Sequence, residues 1–138
     1  MYTNESAATV ALITNSKGEL LFVRRKFDPA KGMLDLPGGF VDLGETGERA
    51  IIREVKEELN LEVDELQFCG SFPNQYLFGG IIYFTLDLTF ICKVNDFTLL
   101  RAADDAEECL FIAPEKVNLD EIGLGSIKEI VKQVVKSK

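Results

Sequence analysis

The chain has 138 residues, of which 46% are hydrophobic and 28% charged, with a formal net charge of −8. That length and composition fit a single globular domain, residues 1–138, with a buried core of its own. The acidic balance disfavours a nucleic-acid partner, which calls for a basic stripe along a phosphate backbone.

In chain order, Ala8 to Thr14 is an apolar β-type run, Asn15-Ser16-Lys17-Gly18 is a turn signal, and Leu20 to Val23 is a second run. The three together predict a hairpin. Phe27 to Gly32 reads as a polar loop, Leu36-Pro37-Gly38-Gly39 turns the chain, and Phe40-Val41 continues a short strand. A helix is predicted from Thr46, its N-cap, to Asn60, whose tolerance of left-handed backbone closes it. Val63 to Phe72 and Ile81 to Val94 are predicted strands, with a loop between them at Pro73-Asn74 and Gly79-Gly80 that carries Tyr76 and Phe78. Cys109 to Ile112 fits a last strand. The tail from Asp120 sets Ile127, Ile130, Val131, Val134 and Val135 at helical spacing. Strands with one inserted helix and one closing helix imply a mixed-sheet α/β or α+β domain.

No apolar run reaches membrane-spanning length, and MYTNESAATV lacks the basic-then-apolar form of a signal peptide. A cytoplasmic protein with no membrane partner is expected. Cys69, Cys92 and Cys109 are odd in number and set among apolar residues, which reads as buried thiols. The chain has no histidine. Acid–base work then falls to carboxylates, and any metal site is rich in oxygen, favouring Mg²⁺ or Mn²⁺ over Zn²⁺.

The segment GFVDLGETGERAIIREVKEELNL, from Gly39 to Leu61, carries the chemistry. On a helix, spacings of three and four gather Glu54, Glu57 and Glu58 on one face. Ile52, Val55 and Leu59 are expected on another, buried one. Like charges at these spacings repel, and a hard divalent cation reverses the sign of that interaction. A solvated helix face laced with ion pairs is the plain alternative. No basic residue follows Glu57 at three or four positions, and Lys56 meets only Ile52 and Asn60 at four, so that alternative finds little support.

The segment resembles the Nudix box, G-x5-E-x7-R-E-U-x-E-E-x-G-U with U aliphatic, through Gly39, Glu45, Arg53, Glu54, Val55, Glu57, Glu58 and Leu61. Leu36-Pro37-Gly38-Gly39 is similar to the family's lead-in, and Asn60 stands where the family has a second glycine. The resemblance implies an α/β/α sandwich around a central mixed sheet. It also implies a hydrolase that uses Mg²⁺, or Mn²⁺, to cleave the diphosphate of a nucleoside diphosphate linked to another group. Glu54, Glu57 and Glu58 would then be metal ligands, with the Gly38 carbonyl as a further oxygen. Glu45 and Arg53 would brace them, and Gly39 would let the loop pass close.

A carboxylate from outside the box joins the site in many relatives, which points to Asp104, Asp105, Glu107 and Glu108, with Asp105 and Glu108 preferred. Arg24 and Arg25 would face opposite ways on their strand, leaving one to meet a substrate phosphate. Tyr76 and Phe78 are placed to stack on a base. Phe72 and Tyr83 read as core, and Phe27 fits either place. The resemblance favours ADP-ribose, an NADH-like dinucleotide or a nucleotide sugar as the small-molecule substrate. Three alternatives stand beside it: a nucleoside triphosphate pyrophosphohydrolase, a regulatory domain that only binds nucleotide, and an isoprenoid diphosphate isomerase, which would need a catalytic cysteine. Ile81 to Phe90 is apolar enough to pair across a homodimer interface.

Overall fold

The computed structural model describes residues 5–101 and 106–136. Seven strands and two helices follow in order: β1 (Ser6–Leu12), β2 (Leu20–Arg25), β3 (Leu34–Asp35), β4 (Gly38–Phe40), α1 (Gly47–Leu59), β5 (Glu65–Phe78), β6 (Ile81–Lys93), β7 (Ala106–Ile112) and α2 (Gly125–Ile130). Four strands form a mixed sheet in the order β4-β1-β6-β5, in which β1 and β6 run parallel and the other pairs antiparallel. The remaining three form an antiparallel sheet in the order β3-β2-β7.

The two-residue alternation of a strand explains the layering. Ala11 and Ile13 pack in one core with Ile51, Val55 and Leu59 of α1. Val10 and Leu12, pointing the other way, pack in a second core with Ile127, Ile130 and Val131 at the C-terminal end. β2 divides likewise, Leu21 and Val23 to the first core and Leu20 and Phe22 to the second. The expected α/β/α sandwich is therefore present, with its sheet layer split in two.

Several elements differ from the sequence reading. The predicted hairpin closes only at its mouth, through a bridge between Thr14 and Leu20 and the Leu21 N–H donating to Ile13 O at 2.8 Å. Beyond it β1 and β2 enter different sheets, because each finds longer partners: β1 pairs with β6, and β2 with β7. The predicted loop at Pro73 does not exist. β5 runs unbroken to Phe78, and only Gly79 and Gly80 turn, both at positive φ. A proline is tolerated there because β5 lies at the sheet edge, where a missing N–H costs no ladder bond on the open side. Tyr83, expected in the core, is 40% exposed beside the turn. The C-terminal helix begins at Gly125 and passes into a wider π turn at Val131–Val135. Cys92 is buried, as expected, while Cys69 and Cys109 are only half-buried.

Helix α1 starts and stops where its caps dictate. The Thr46 side chain accepts from the Arg49 N–H, and Asn60 ends the helix at φ 57°, its own N–H bonded to Lys56 O. The buried stripe is Ala50, Ile51, Val55 and Leu59, whereas Ile52 is 42% exposed. At 100° per residue Glu54 and Glu58 fall between Ala50 and the row of Ile51, Val55 and Leu59, and Glu57 lies beyond Ala50 toward solvent.

β4 holds the glycine pair against β1, with Val10 opposite Gly38 and Thr9 opposite Gly39. Gly38 sits at φ 155°, and a Cβ on it would overlap the Thr9 carbonyl. Gly79, at φ 59°, has open space around it. Gly38→Ala is therefore expected to cost more than about 3 kcal/mol, against about 1 kcal/mol for Gly79→Ala from backbone conformation alone. Urea denaturation of the two variants checks the contrast.

Candidate functional site

Arg53, half-buried on α1, organises the acidic segment. Its Nε donates to Glu45 Oε2 at 2.8 Å and its Nη2 to Glu45 Oε1 at 2.8 Å, a bidentate pair. Nη1 donates to Glu54 Oε1 at 2.7 Å and to Glu57 Oε2 at 3.2 Å, and Nη2 also donates to the Phe40 carbonyl at 3.1 Å. Asp42 adds a longer ion pair at 3.5 Å. Arg53, expected to brace the carboxylates, is thus also an ion-pair partner four residues before Glu57, on the side where the sequence reading sought no cation. Lys56 also has a partner, Glu62 at 2.9 Å, beyond the helix end. Every carboxylate that Arg53 holds favours its charged form, so the guanidinium is held still more firmly protonated.

Glu54 lies over Gly39, where any Cβ would overlap its carboxyl group. Gly39 thus makes room for a carboxylate, the close approach expected of it, and its own carbonyl accepts from Thr9 Oγ1 at 3.0 Å. Glu58 is half-buried and borders the adjoining cleft, with Gly38 and Gly39 beside it. The Cys109 thiol is pushed up by burial and then by the charges of Glu58 and Glu108.

The donor set, three glutamates and a backbone carbonyl with no nitrogen or sulfur, suits a hard divalent cation. Gly39 supplies the space that one of those carboxylates needs. Among the described residues, no three acidic or thiol side chains converge tightly enough to enclose an ion by themselves. An ion held here would need oxygens from the main chain, water or a phosphate to complete its shell, as Mg²⁺ commonly does.

The cleft is about 350 Å³ and runs from Gly38, Gly39 and Glu58 across Ala8 and Thr9 to Asn74, Thr85 and Asp87. Phe27, Phe40 and Tyr76 line it. Tyr76 stacks on Tyr83 across the hairpin, with centroids 5.5 Å apart. Phe78 does not line the cleft and lies 6.5 Å from Tyr83 near the turn. Arg24 and Arg25 do face opposite ways. Arg25 borders the cleft, bound to Asp35 Oδ2 at 2.7 Å and Pro29 O at 2.6 Å. Arg24 turns outward to Glu108 at 2.7 Å and Gly32 O at 3.1 Å. Asp104 and Asp105 lie outside the described residues, as does the side chain of Glu107.

Asp35, Asn74, Asp87 and Ser126 were missed in the sequence reading. Burial pushes the Asp35 carboxyl up against the opposing pull of Arg25, and burial likewise raises Asp87. The signal for Asp87 was present, as it is the sole charged residue in IIYFTLDLTFIC.

The sequence profile of the NUDIX domain matches residues 4–133. An ADP-ribose pyrophosphatase of Methanocaldococcus jannaschii is 39% identical over 107 residues, 76% of this chain and 60% of that protein. The NAD-capped RNA hydrolase NudC of Pseudomonas aeruginosa is 34% identical over 82 residues, 56% of this chain and 29% of that protein. This chain thus spans about six-tenths of the first relative's length and under a third of the second's. The crystal structure of a MutT NUDIX hydrolase from Burkholderia pseudomallei superposes with a TM-score of 0.81 at 20% identity, covering 96% of this chain and all of that one. Among the described residues no helix is long and apolar enough to cross a membrane.

The Glu45 carboxyl is held down from its ordinary 4.5 to about 2, first by the Arg53 hydrogen bonds and then by the Asp42 N–H. Because the folded pKa lies below the unfolded one, this contact stabilises the fold above pH 4.5 and is lost as pH falls toward 2. In Arg53→Ala the Glu45 carboxyl is expected to titrate closer to its ordinary value, read from its side-chain carbonyl ¹³C shift. A titration still near 2 would transfer the effect to the Asp42 N–H.

Proposed function

The chain belongs to the Nudix family, and we propose on that footing that it hydrolyses the diphosphate linkage of a nucleoside diphosphate joined to a second group. ADP-ribose, an NADH-like dinucleotide or a nucleotide sugar is the favoured substrate. The observation that carries this reading is the acidic face of α1, where Arg53 holds Glu54 and Glu57 and the neighbouring Glu58 borders a cleft with room for a small molecule.

Glu54, Glu57 and Glu58, with the Gly38 carbonyl, would hold Mg²⁺, or Mn²⁺ in its place. Bound there, the metal lowers the pKa of water and offsets the charge that builds on the phosphoryl oxygens. The chain's own residues do the rest. Arg53 and Glu45 keep the glutamates in place, so that their mutual repulsion does not scatter them. Glu57, the most exposed of the three, accepts the proton of the attacking water. The water oxygen bonds to one phosphorus, the bridging P–O bond breaks, and the electron pair leaves with the other phosphate. A nucleoside monophosphate and a phosphorylated second product result. Phe27, Phe40 and Tyr76 supply aromatic surface along the cleft, and Arg25 borders it. Glu108, on β7 and paired with Arg24, and Asp105, which precedes that strand in the sequence, would be the carboxylates supplied from outside the box.

Phosphate release after a coupled phosphatase, across ADP-ribose, NADH, nucleotide sugars, dinucleoside polyphosphates and nucleoside triphosphates, tests the reading with and without Mg²⁺. Turnover is expected for diphosphate-linked substrates and only with metal. Binding without turnover across the panel would instead mark a regulatory nucleotide-binding domain. Glu57→Gln is expected to lower kcat by at least about a hundredfold with its thermal midpoint preserved, and near-wild-type turnover would remove Glu57 from this role.

A further inference from the structure

Asp87 is 5% exposed and borders the cleft at the end away from the glutamates. Its Oδ1 accepts from Thr85 Oγ1 at 3.0 Å and its Oδ2 from the Ser126 hydroxyl. Among the described residues no lysine or arginine pairs with it, and the nearby Arg25 is committed to Asp35. A buried carboxylate without a cation is costly, and two hydroxyl donors fill only half its capacity. One acceptor position remains on each oxygen.

Asn74 stands beside it, 9% exposed and also bordering the cleft. Its Oδ1 accepts from the Ser126 N–H at 3.3 Å, which leaves its amide nitrogen without a partner among the described residues. The floor therefore offers two adjacent acceptors and one donor. Their charge repels a further phosphate. They match a neutral group with two neighbouring donors that also accepts.

The register places this floor relative to the glutamates. Asp87 lies opposite Ala8, and Ala8 opposite Phe40, so the three share one row next to Gly39. At about 4.8 Å per strand, Asp87 stands about 10 Å from the strand that carries the glycines. On the hydrolase reading, a pentose linked to a phosphate near Gly39 would extend along that row.

We propose that Asp87 and Asn74 determine specificity by taking the vicinal diol of a sugar. One hydroxyl donates to each carboxylate oxygen, and the Asn74 amide donates back to a hydroxyl oxygen. This deepens the hydrolase reading and rests on it for the diphosphate at the other end. The diol comes either from the nucleoside ribose or from the sugar of the second group.

Calorimetric binding to the intact protein tests this, in EDTA and again with Ca²⁺. The ligands are ADP-ribose, an analogue deoxygenated in the adenosine ribose, and one deoxygenated in the terminal ribose. One analogue is expected to bind the wild type about tenfold more weakly than ADP-ribose, the scale of a hydrogen bond to a charged group. Which analogue it is identifies the sugar. In Asp87→Asn that discrimination is expected to collapse while the thermal midpoint shows the fold retained. If that variant does not fold, Asn74→Ala carries the same comparison. Equal binding of all three ligands by the wild type, or no binding in either condition, overturns the proposal. So does discrimination unchanged in the variant, which would make Asp87 a structural tie between β6 and α2. Failure of turnover with discrimination intact would sink the hydrolase reading and leave the diol site standing, and turnover without discrimination would do the reverse.

Discussion

One guanidinium holds the acidic half of this site together. Arg53 has five N–H groups, and five acceptors meet them: two oxygens of Glu45, one each of Glu54 and Glu57, and the Phe40 carbonyl. Those acceptors come from β4, from the loop before α1 and from α1 itself. A lysine at this position has three donors and no planar fork, so it would leave part of the set unheld. One positive charge nevertheless stands against several negative ones. The cluster is ordered without being neutralised, and that residual charge makes it a place for a cation.

The aim of the cluster is set from the apolar side. Ile51, Val55 and Leu59 are fully buried, and each contributes roughly 1.5–3 kcal/mol by leaving water. Those contacts fix the rotation of α1, and the rotation decides where the glutamates point. Glu54 and Glu58 project between Ala50 and Ile51, half-buried, where less water surrounds them and charge interactions are less screened. Glu57 stays in the solvent. The capping of Thr46 and Asn60 then sets the helix length, so the core, the caps and the charged face specify one arrangement.

Much of this was legible in the sequence because it is local. The spacing of Gly39, Glu45, Arg53 and the three glutamates lies within two dozen residues, and the caps within one helix. The pairings that shape the rest are distant. Arg24 meets Glu108, which is 84 residues away, and Ser126 meets Asp87 across 39. No periodicity announces such partners. β5 misled for a different reason: Pro73 and Asn74 are turn residues by composition, yet at a sheet edge the proline is harmless and the asparagine faces a cleft. Tyr83 misled because it sits in the apolar run Ile81 to Phe84, yet that end of β6 reaches past the two cores.

The cleft joins two ends of different chemistry along the row that β1 provides. The glutamate end carries charge that only a cation offsets, and the Asp87 end carries acceptors that a neutral donor group satisfies. Asp28, Asp35, Glu58 and Asp87 all border the cleft, against Arg25 as the one arginine lining it among the described residues. A bare diphosphate would be repelled from such a wall, the more so by a chain of net charge −8. A diphosphate already complexed to a divalent ion carries much less charge, and the same wall then attracts its metal. On the hydrolase reading, the acidity of this protein therefore selects the metal complex of its substrate over the free anion. That choice follows from the balance of charge along the cleft, with no contribution from any basic groove.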